Sequence, residues 1–276
     1  MEQRPAAAYQ EAIEAIRTEL QLENKTHIGV VLGTGLGEWA ESLQEGKALS
    51  YAEIPHFPQS TVDSHSGRLI SGRLGDVSVI ALQGRFHLYE GYAPEAVCFG
   101  VRILGLLGVE KLVITNASGA INPRFAAGNI MLIEDQINMS GHNPLRGPNI
   151  EAWGPRFPDM SCPFDTAFKE AALAAARALG LRLERGVYLG VMGPCLETPA
   201  ETRAFKRLGG DAVGMSTVLE VIAARHMGLR ILGLSCLTNK NLPDCMEETS
   251  FEEVVQQANR TGPDLRRLLN EVIPRL

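Results

Sequence analysis

The sequence predicts an α/β domain, and three observations carry that prediction. Apolar segments of strand length alternate with amphipathic or alanine-rich segments of helix length along the chain. Small or polar residues collect where the apolar segments end, at Thr34, Asn116, Glu197, Met215, Ser216 and Asn239, and a site assembled from several strand ends is the usual arrangement of α/β enzymes. The 276 residues show no break in composition and are 45% hydrophobic, enough for a sizeable core, so a single domain over residues 1–276 is the favoured organisation.

The remaining composition narrows the function. A formal net charge of -6 argues against a nucleic-acid partner without excluding a small anion. No run approaches the roughly 18 apolar residues a membrane span requires, and the Met1-Glu2-Gln3-Arg4-Pro5 start lacks the pattern of a signal peptide. Five scattered cysteines with no C-x-x-C pair fit reduced thiols in a cytoplasm, with neither a disulfide framework nor a zinc site.

Taken in order, residues Ala6–Leu22 read as a helix, with Ile13, Ile16 and Leu20 on one stripe. The strand Ile28–Leu32 runs into the glycine turn Gly33-Thr34-Gly35-Leu36-Gly37 and a helix over Glu38–Leu43. Strand, glycine turn and helix together can present backbone N–H groups to an anion. A dinucleotide fingerprint does not fit, because the third glycine comes one position early, and no Gly-Lys-Ser/Thr follows to make a P-loop. A phosphate nest and a structural turn both remain open. Tyr51–Ser64, rich in Pro, His and Ser, reads as a mobile loop. It leads through His65 to two strands, Leu69–Leu74 and Val77–Leu82, joined by Gly75-Asp76 as a hairpin.

The second strand continues into Gln83-Gly84-Arg85-Phe86-His87-Leu88-Tyr89-Glu90. If strand geometry persists, Gln83, Arg85, His87 and Tyr89 share one face. A guanidinium fork, an imidazole and a phenol suit an anion and a sugar, although the same pattern also describes a plain solvent face.

A helix over Pro94–Leu107 stops at Gly108, and the strand Lys111–Thr115 ends in Asn116-Ala117-Ser118-Gly119-Ala120. Asn122–Gly128 is a turn and Asn129–Ile133 a strand. The loop Gly141–Pro163 carries Trp153 and Phe157, aromatics suited to a subunit contact if exposed. There follow a helix over Asp165–Leu179, a strand over Gly186–Met192 ending in Gly193-Pro194-Cys195-Leu196-Glu197-Thr198, a helix over Pro199–Leu208 and a short strand over Asp211–Ser216. Thr217-x-x-Glu220 is the spacing of a capping box for a helix through Met227. Ile231–Leu237 is the last strand, ending in Thr238-Asn239-Lys240. The final helix, Phe251–Ile273, should kink or break at Gly262-Pro263.

Six motifs in this order resemble the trimeric purine nucleoside phosphorylases: Gly33–Gly37, Gln83–Gly91, Thr115–Gly119, Gly193-Pro194-x-x-Glu197-Thr198, Val213-Gly214-Met215-Ser216-Thr217 and Thr238-Asn239-Lys240. The resemblance spans about Ile28 to Val255. It implies a mixed, partly barrel-like sheet flanked by helices and the reversible conversion of a purine nucleoside and phosphate to free purine and ribose 1-phosphate. It also implies a homotrimer, no cofactor and no metal, with orthophosphate as co-substrate. By similarity, Thr34, His65, Arg85, His87, Ala117 and Ser216 would hold phosphate. Tyr89, Met215 and Phe251 would line the ribose, with Phe157 reaching in from a neighbouring subunit. Leu196, Glu197, Gly214, Met215 and Asn239 would face the purine, and Asn239, His87 and Glu197 would carry the catalysis.

The residue types agree with that chemistry. Cleaving an N-glycosidic bond builds positive charge on the sugar and negative charge on the leaving purine, so an oxyanion beneath the one and a donor beside the other lower the barrier. Glu197 opposite a ring N–H is paired, and opposite adenosine it faces a lone pair, which favours 6-oxopurines such as inosine and guanosine. The related methylthioadenosine phosphorylases are expected to have Asp where Asn239 stands. Two positions depart from the family pattern: Leu196 where many members have an aromatic, and Phe251 where a histidine often meets the ribose 5′-hydroxyl. Phe251 opens the alternative of a phosphorylase for 5′-modified nucleosides such as methylthioinosine. A non-catalytic nucleoside sensor would be marked by loss of Arg85, His87 or Asn239, and all three are present.

Overall fold

In the computed structural model, which describes residues 6–22, 28–61 and 66–276, the strands are β1 (Ile28–Leu32), β2 (Gln44–Ser50), β3 (Arg68–Leu74), β4 (Val77–Gln83), β5 (Lys111–Ala120), β6 (Ile130–Asn138), β7 (Leu183–Gly190), β8 (Ala212–Gly214) and β9 (Arg230–Lys240). They form one mixed sheet in the order β2-β3-β4-β1-β5-β8-β7-β6-β9, and a second pairing of β5 with β9 closes its last five strands into a barrel. The helices are α1 (Ala6–Leu20), α2 (Glu38–Glu41), α3 (Pro94–Val97), α4 (Phe99–Leu106), α5 (Thr166–Ala178), α6 (Pro199–Arg207), α7 (Val218–His226) and α8 (Phe251–Val272). The α/β class and the partly barrel-like sheet therefore hold. None of the described helices is long and apolar enough to cross a membrane.

The topology follows from which strands bury both faces. All five residues of β1 are buried, and β1 lies parallel between β4 and β5, with Val30 opposite Ala81 on one side and Val113 on the other. β5 and β9 also run parallel. The C-terminal ends of β1, β4, β5 and β9 thus open at one edge of the sheet, the edge where ligands bind in such folds. β2 was not foreseen: Gln-Glu-Gly-Lys-Ala-Leu-Ser has little strand propensity, and most of it is exposed on the sheet margin, where no apolar alternation is required.

Several sequence expectations are corrected. Tyr51, Ile54 and Phe57 are buried, and the Tyr51 ring stacks on Phe57 at 4.5 Å, so the first part of the supposed mobile loop is a packed segment. Trp153 is half-buried, edge-on to Tyr9 and beneath Arg102, and is not an exposed contact residue. α8 runs unbroken through Gly262 and Pro263. Pro263 lies on the exposed side, where the Asn259 carbonyl it deprives of a partner can meet water, while Ala258, Leu265, Leu268, Leu269 and Val272 bury the opposite stripe. Burial of that stripe outweighs the roughly 3 kcal/mol an internal proline costs.

α8 also explains the glycine turn. Gly35 has φ +74°, and a Cβ there would lie 2.7 Å from the Ala258 Cβ and 2.9 Å from Asn259 Oδ1. At Gly33 a Cβ would press within 3.0 Å of the Asn116 Cα and the Thr115 carbonyl. Much of the turn's glycine content is therefore demanded by packing. Gly35→Ala should destabilise the protein by about 2–4 kcal/mol, combining left-handed backbone strain with overpacking; a denaturant midpoint equal to that of the parent would refute this account.

Candidate active site

One cavity of about 530 Å³ opens at the strand ends. Its wall includes Thr34, Arg85, His87, Tyr89, Ala117, Leu196, Glu197, Gly214, Met215, Ser216, Asn239 and Phe251, so these predicted site residues share a single space. Two others do not join them. His65 lies outside the described residues, and Phe157 is 87% exposed on a separate surface groove of about 790 Å³.

At one end the charge is set by Arg85. The strand does not continue past Gln83: Gly84 turns at φ +115°, and Leu88–Glu90 form a short 3-10 turn. Arg85, His87 and Tyr89 reach the cavity through this irregular segment, whereas Gln83 turns away to hydrogen-bond the Gly37 carbonyl at 2.9 Å. The Arg85 side chain is buried against Glu220, which is itself 2% exposed, with Nε 3.2 Å from Glu220 Oε1. Arg85 Nη1 donates to the Thr115 carbonyl at 2.6 Å and lies 3.5 Å from Ser216 Oγ.

Glu220 also accepts the Thr217 N–H at 3.1 Å. Thr217 adopts φ 69° and ψ −53°, and the Val218 N–H closes on the Ser216 carbonyl at 2.7 Å, a γ-turn of the strained hand. Such a conformation in a β-branched residue costs on the order of 1–3 kcal/mol and persists only where the surroundings enforce it. Asn116 does so by donating Nδ2 to Thr217 Oγ1 at 2.8 Å, while Ser235 donates to Asn116 Oδ1 at 2.5 Å. Ser216 is thereby presented to the cavity with its N–H held by Tyr188 Oη at 3.3 Å. Gly214 is required beside it, since a side chain there would collide with Tyr188 Oη.

His87 is held by Glu90, whose Oε1 takes both the His87 N–H and Nδ1 at 2.8 Å. Burial pushes the Glu90 carboxyl up, but hydrogen bonds from His87 and Thr61 outweigh it and hold the group at about 2. An ionised Glu90 is an acceptor only, so the ring presents its Nδ1–H to that carboxylate and its tautomer and orientation are set by Glu90. The His87 ring stacks on Tyr89 at 4.6 Å, and burial drives the Tyr89 phenol up, leaving it neutral.

At the other end sit Glu197 and Asn239. In the β5–β9 register Ser118 pairs with Leu237 but Gly119 pairs with Asn239, so Thr238 is an extra residue that re-aims the strand end. The Thr238 hydroxyl lies 3.2 Å from both the Ser118 carbonyl and Asn239 Oδ1, and the Asn239 amide lines the cavity beside it. Burial raises the Glu197 carboxyl, opposed by a hydrogen bond from Asn241 Nδ2 at 2.5 Å.

Sequence reasoning missed Glu90, Tyr188 and Asn241 and gave Glu220 only a capping role. For Glu220 a signal existed: it is the lone charge in Val-Leu-Glu-Val-Ile-Ala-Ala, and a charge on an otherwise buried helix face needs a buried partner. Tyr188 and Asn241 carry no comparable mark.

The chain resembles known proteins along nearly its whole length. Residues 27–274 match the Phosphorylase superfamily. A purine nucleoside phosphorylase of Mus musculus is 47% identical, covering 91% of this chain and 91% of the relative, and purine nucleoside phosphorylase 1 of Bacillus subtilis (strain 168) is 46% identical, covering 91% and 93%. The crystal structure of isoform 2 of the Schistosoma mansoni purine nucleoside phosphorylase, in complex with cytosine and ribose-1-phosphate, superimposes with a TM-score of 0.92 at 36% identity, covering 98% of this chain and 97% of that one. A Schistosoma enzyme in complex with hypoxanthine gives 0.90 at 34% identity, covering 98% of each.

Removing the Arg85 countercharge should be costly. Glu220→Gln should lower stability by roughly 3 kcal/mol, because a buried guanidinium is left uncompensated; a chemical-denaturation midpoint unchanged from the parent would show that the pair is not holding the site.

Proposed function

This chain belongs to the Phosphorylase superfamily, and from that premise we propose that its cavity carries out the reversible phosphorolysis of purine nucleosides to free purine and pentose 1-phosphate. The observation that carries the reading is the convergence, on one cavity of nucleoside-and-phosphate size, of an anion cradle and an amide–carboxylate pair. Relatives at 46–47% identity bear the same enzyme name, and solved neighbours hold a pentose phosphate or a purine.

In this reading orthophosphate is the co-substrate, and no cofactor or metal takes part. Thr34, Arg85, His87, Ala117 and Ser216 receive it, together with His65. Arg85, already paired with Glu220, supplies directed donors more than net charge. The bound oxyanion stabilises the developing oxocarbenium sugar against Tyr89 and Met215. As the C–N bond breaks, Asn239 Nδ2 donates to the purine nitrogen that gains electrons, and Glu197 accepts from a protonated ring nitrogen. The preferred substrates are then 6-oxopurine nucleosides, in a cytoplasmic salvage role.

A second reading rests on Phe251. It is half-exposed at the cavity wall with Val254, offering an apolar surface that cannot itself hydrogen-bond a 5′-hydroxyl. A 5′-modified nucleoside such as methylthioinosine suits that surface. The assembly proposed is a homotrimer: Phe157, solvent-exposed and remote from its own chain's cavity, serves a neighbouring subunit's ribose. Light scattering should give three times the chain mass, and Phe157→Ala should raise KM for inosine; a monomer with an unaltered KM would remove the partner contribution.

Purine release from inosine, guanosine, adenosine and methylthioinosine, each with and without orthophosphate, tests the function. Phosphate-dependent release from inosine and guanosine well above adenosine is expected; comparable turnover of adenosine and inosine would overturn the substrate assignment. Asn239→Ala should lower kcat by roughly 10²-fold or more, the loss expected for one neutral donor aimed at the transition state, and an unchanged kcat would take Asn239 out of the mechanism.

A further inference from the structure

Asn241 does not line the cavity, yet it touches the carboxylate that does. It is 4% exposed, just beyond the end of β9, and its N–H is tied to the Ala120 carbonyl at 2.8 Å, so its backbone is fixed against the end of β5. Its side chain bridges two elements. Thr202, fully buried in α6, donates its hydroxyl to Asn241 Oδ1 at 3.0 Å, and Asn241 Nδ2 donates to Glu197 Oε2 at 2.5 Å. The amide is not free to turn over: the reverse orientation would set Oδ1 against a carboxylate oxygen, acceptor facing acceptor. Glu197's own segment offers less restraint, since Cys195, Leu196 and Thr198 around it are exposed.

We infer that Asn241, clamped by Thr202, is a positioning residue that holds Glu197 ionised and in one orientation, and thereby sets the preference for purines bearing a ring N–H. The inference rests on the reading of Glu197 as the purine acceptor. An ionised, fixed carboxylate offers only acceptor oxygens, which match the ring N–H of a 6-oxopurine. A protonated Glu197 would offer a donor, which matches the ring lone pair of adenosine. Burial pushes Glu197 toward that second state, and a hydrogen bond from its own backbone N–H and then the one from Asn241, its only side-chain partner among the described residues, work against it. The charged groups around Glu197 do not take over this role. Glu201 on α6 raises the carboxyl further, Arg203 on α6 is paired with Asp244 at 3.1 Å, and Lys240 is at the exposed end of β9.

The test is Asn241→Leu, similar in size and without the donor, assayed with saturating orthophosphate on inosine and adenosine across pH. Loss of a hydrogen bond to a charged group should lower kcat/KM for inosine about 10- to 100-fold, while adenosine stays within about threefold. The acid limb of the inosine profile should move to higher pH, because the carboxyl is now protonated more easily. Thr202→Val, which only loosens the clamp, should shift both quantities the same way by a smaller amount, and it decides the matter if Asn241→Leu does not fold. A purely structural Asn241 would lower the melting temperature and scale both substrates together, leaving the inosine-to-adenosine ratio and the acid limb in place; that result overturns the assignment. Failure of the parent enzyme to split inosine would instead overturn the activity on which the assignment rests.

Discussion

The buried pair of Arg85 and Glu220 is the interaction around which the anion end of the cavity is arranged. Both side chains are almost wholly buried, so each must be satisfied largely within the protein, and several of the groups around them stand at the cavity wall. Glu220 divides its two oxygens between the guanidinium and the Thr217 N–H. The same carboxylate that neutralises Arg85 therefore helps to hold a γ-turn that would otherwise relax, and that turn sets the direction of Ser216. The helix following the turn owes its register to the same contact, because Glu220 lies in its first turn. Charge balance, backbone strain and hydroxyl placement are thus one structural problem with one solution.

Closure of the sheet supplies the geometry for that solution. β5 pairs with β1, β8 and β9, so its last residues, Ala117 to Ala120, lie where the flat part of the sheet meets the barrel. Residues separated by more than 200 positions, Thr34 and Asn239, come to share one cavity wall because both flank this strand. The extra residue at Thr238 adjusts the barrel rim so that the Asn239 amide faces the same space. An open sheet with the same strand ends would spread these groups along an edge.

Much of this was legible in the sequence, and the misses have physical causes. The buried parallel strands β1, β4, β5 and β9 were evident because strands covered on both faces are uniformly apolar. β2 was invisible because an edge strand has no such requirement. The unbroken α8 contradicted a local rule because the stripe from Ala258 to Val272 is long enough to override one proline. The residues on the cavity wall were mostly foreseen, since polar side chains at strand ends stand out against apolar runs. Those that hold them were not: Tyr188 sits within a strand, Glu90 follows a tyrosine in a polar segment, and Asn241 looks like any loop asparagine. Which carboxylate answers which cation depends on tertiary contacts, spanning 135 positions between Arg85 and Glu220 and 228 between Glu38 and Arg266, and no spacing rule reaches that far.

The division between groups that face the cavity and groups that hold them has a mechanistic consequence. Arg85 is held by Glu220, His87 by Glu90, Ser216 by Tyr188, Asn239 by Thr238 and Glu197 by Asn241. In these pairs the supporting partner supplies a countercharge, sets a tautomer or restrains the position of the group that faces the cavity. Donors and acceptors fixed in advance need not reorganise as charge develops, and that is the condition under which a few neutral or internally compensated groups can do the electrostatic work that solvent would otherwise do slowly. The cavity needs no large net positive charge to receive an oxyanion, because its one buried guanidinium is already balanced and acts through direction. In the proposed reaction, selectivity for a leaving purine follows the same logic, through an amide and a carboxylate restrained before the ligand arrives.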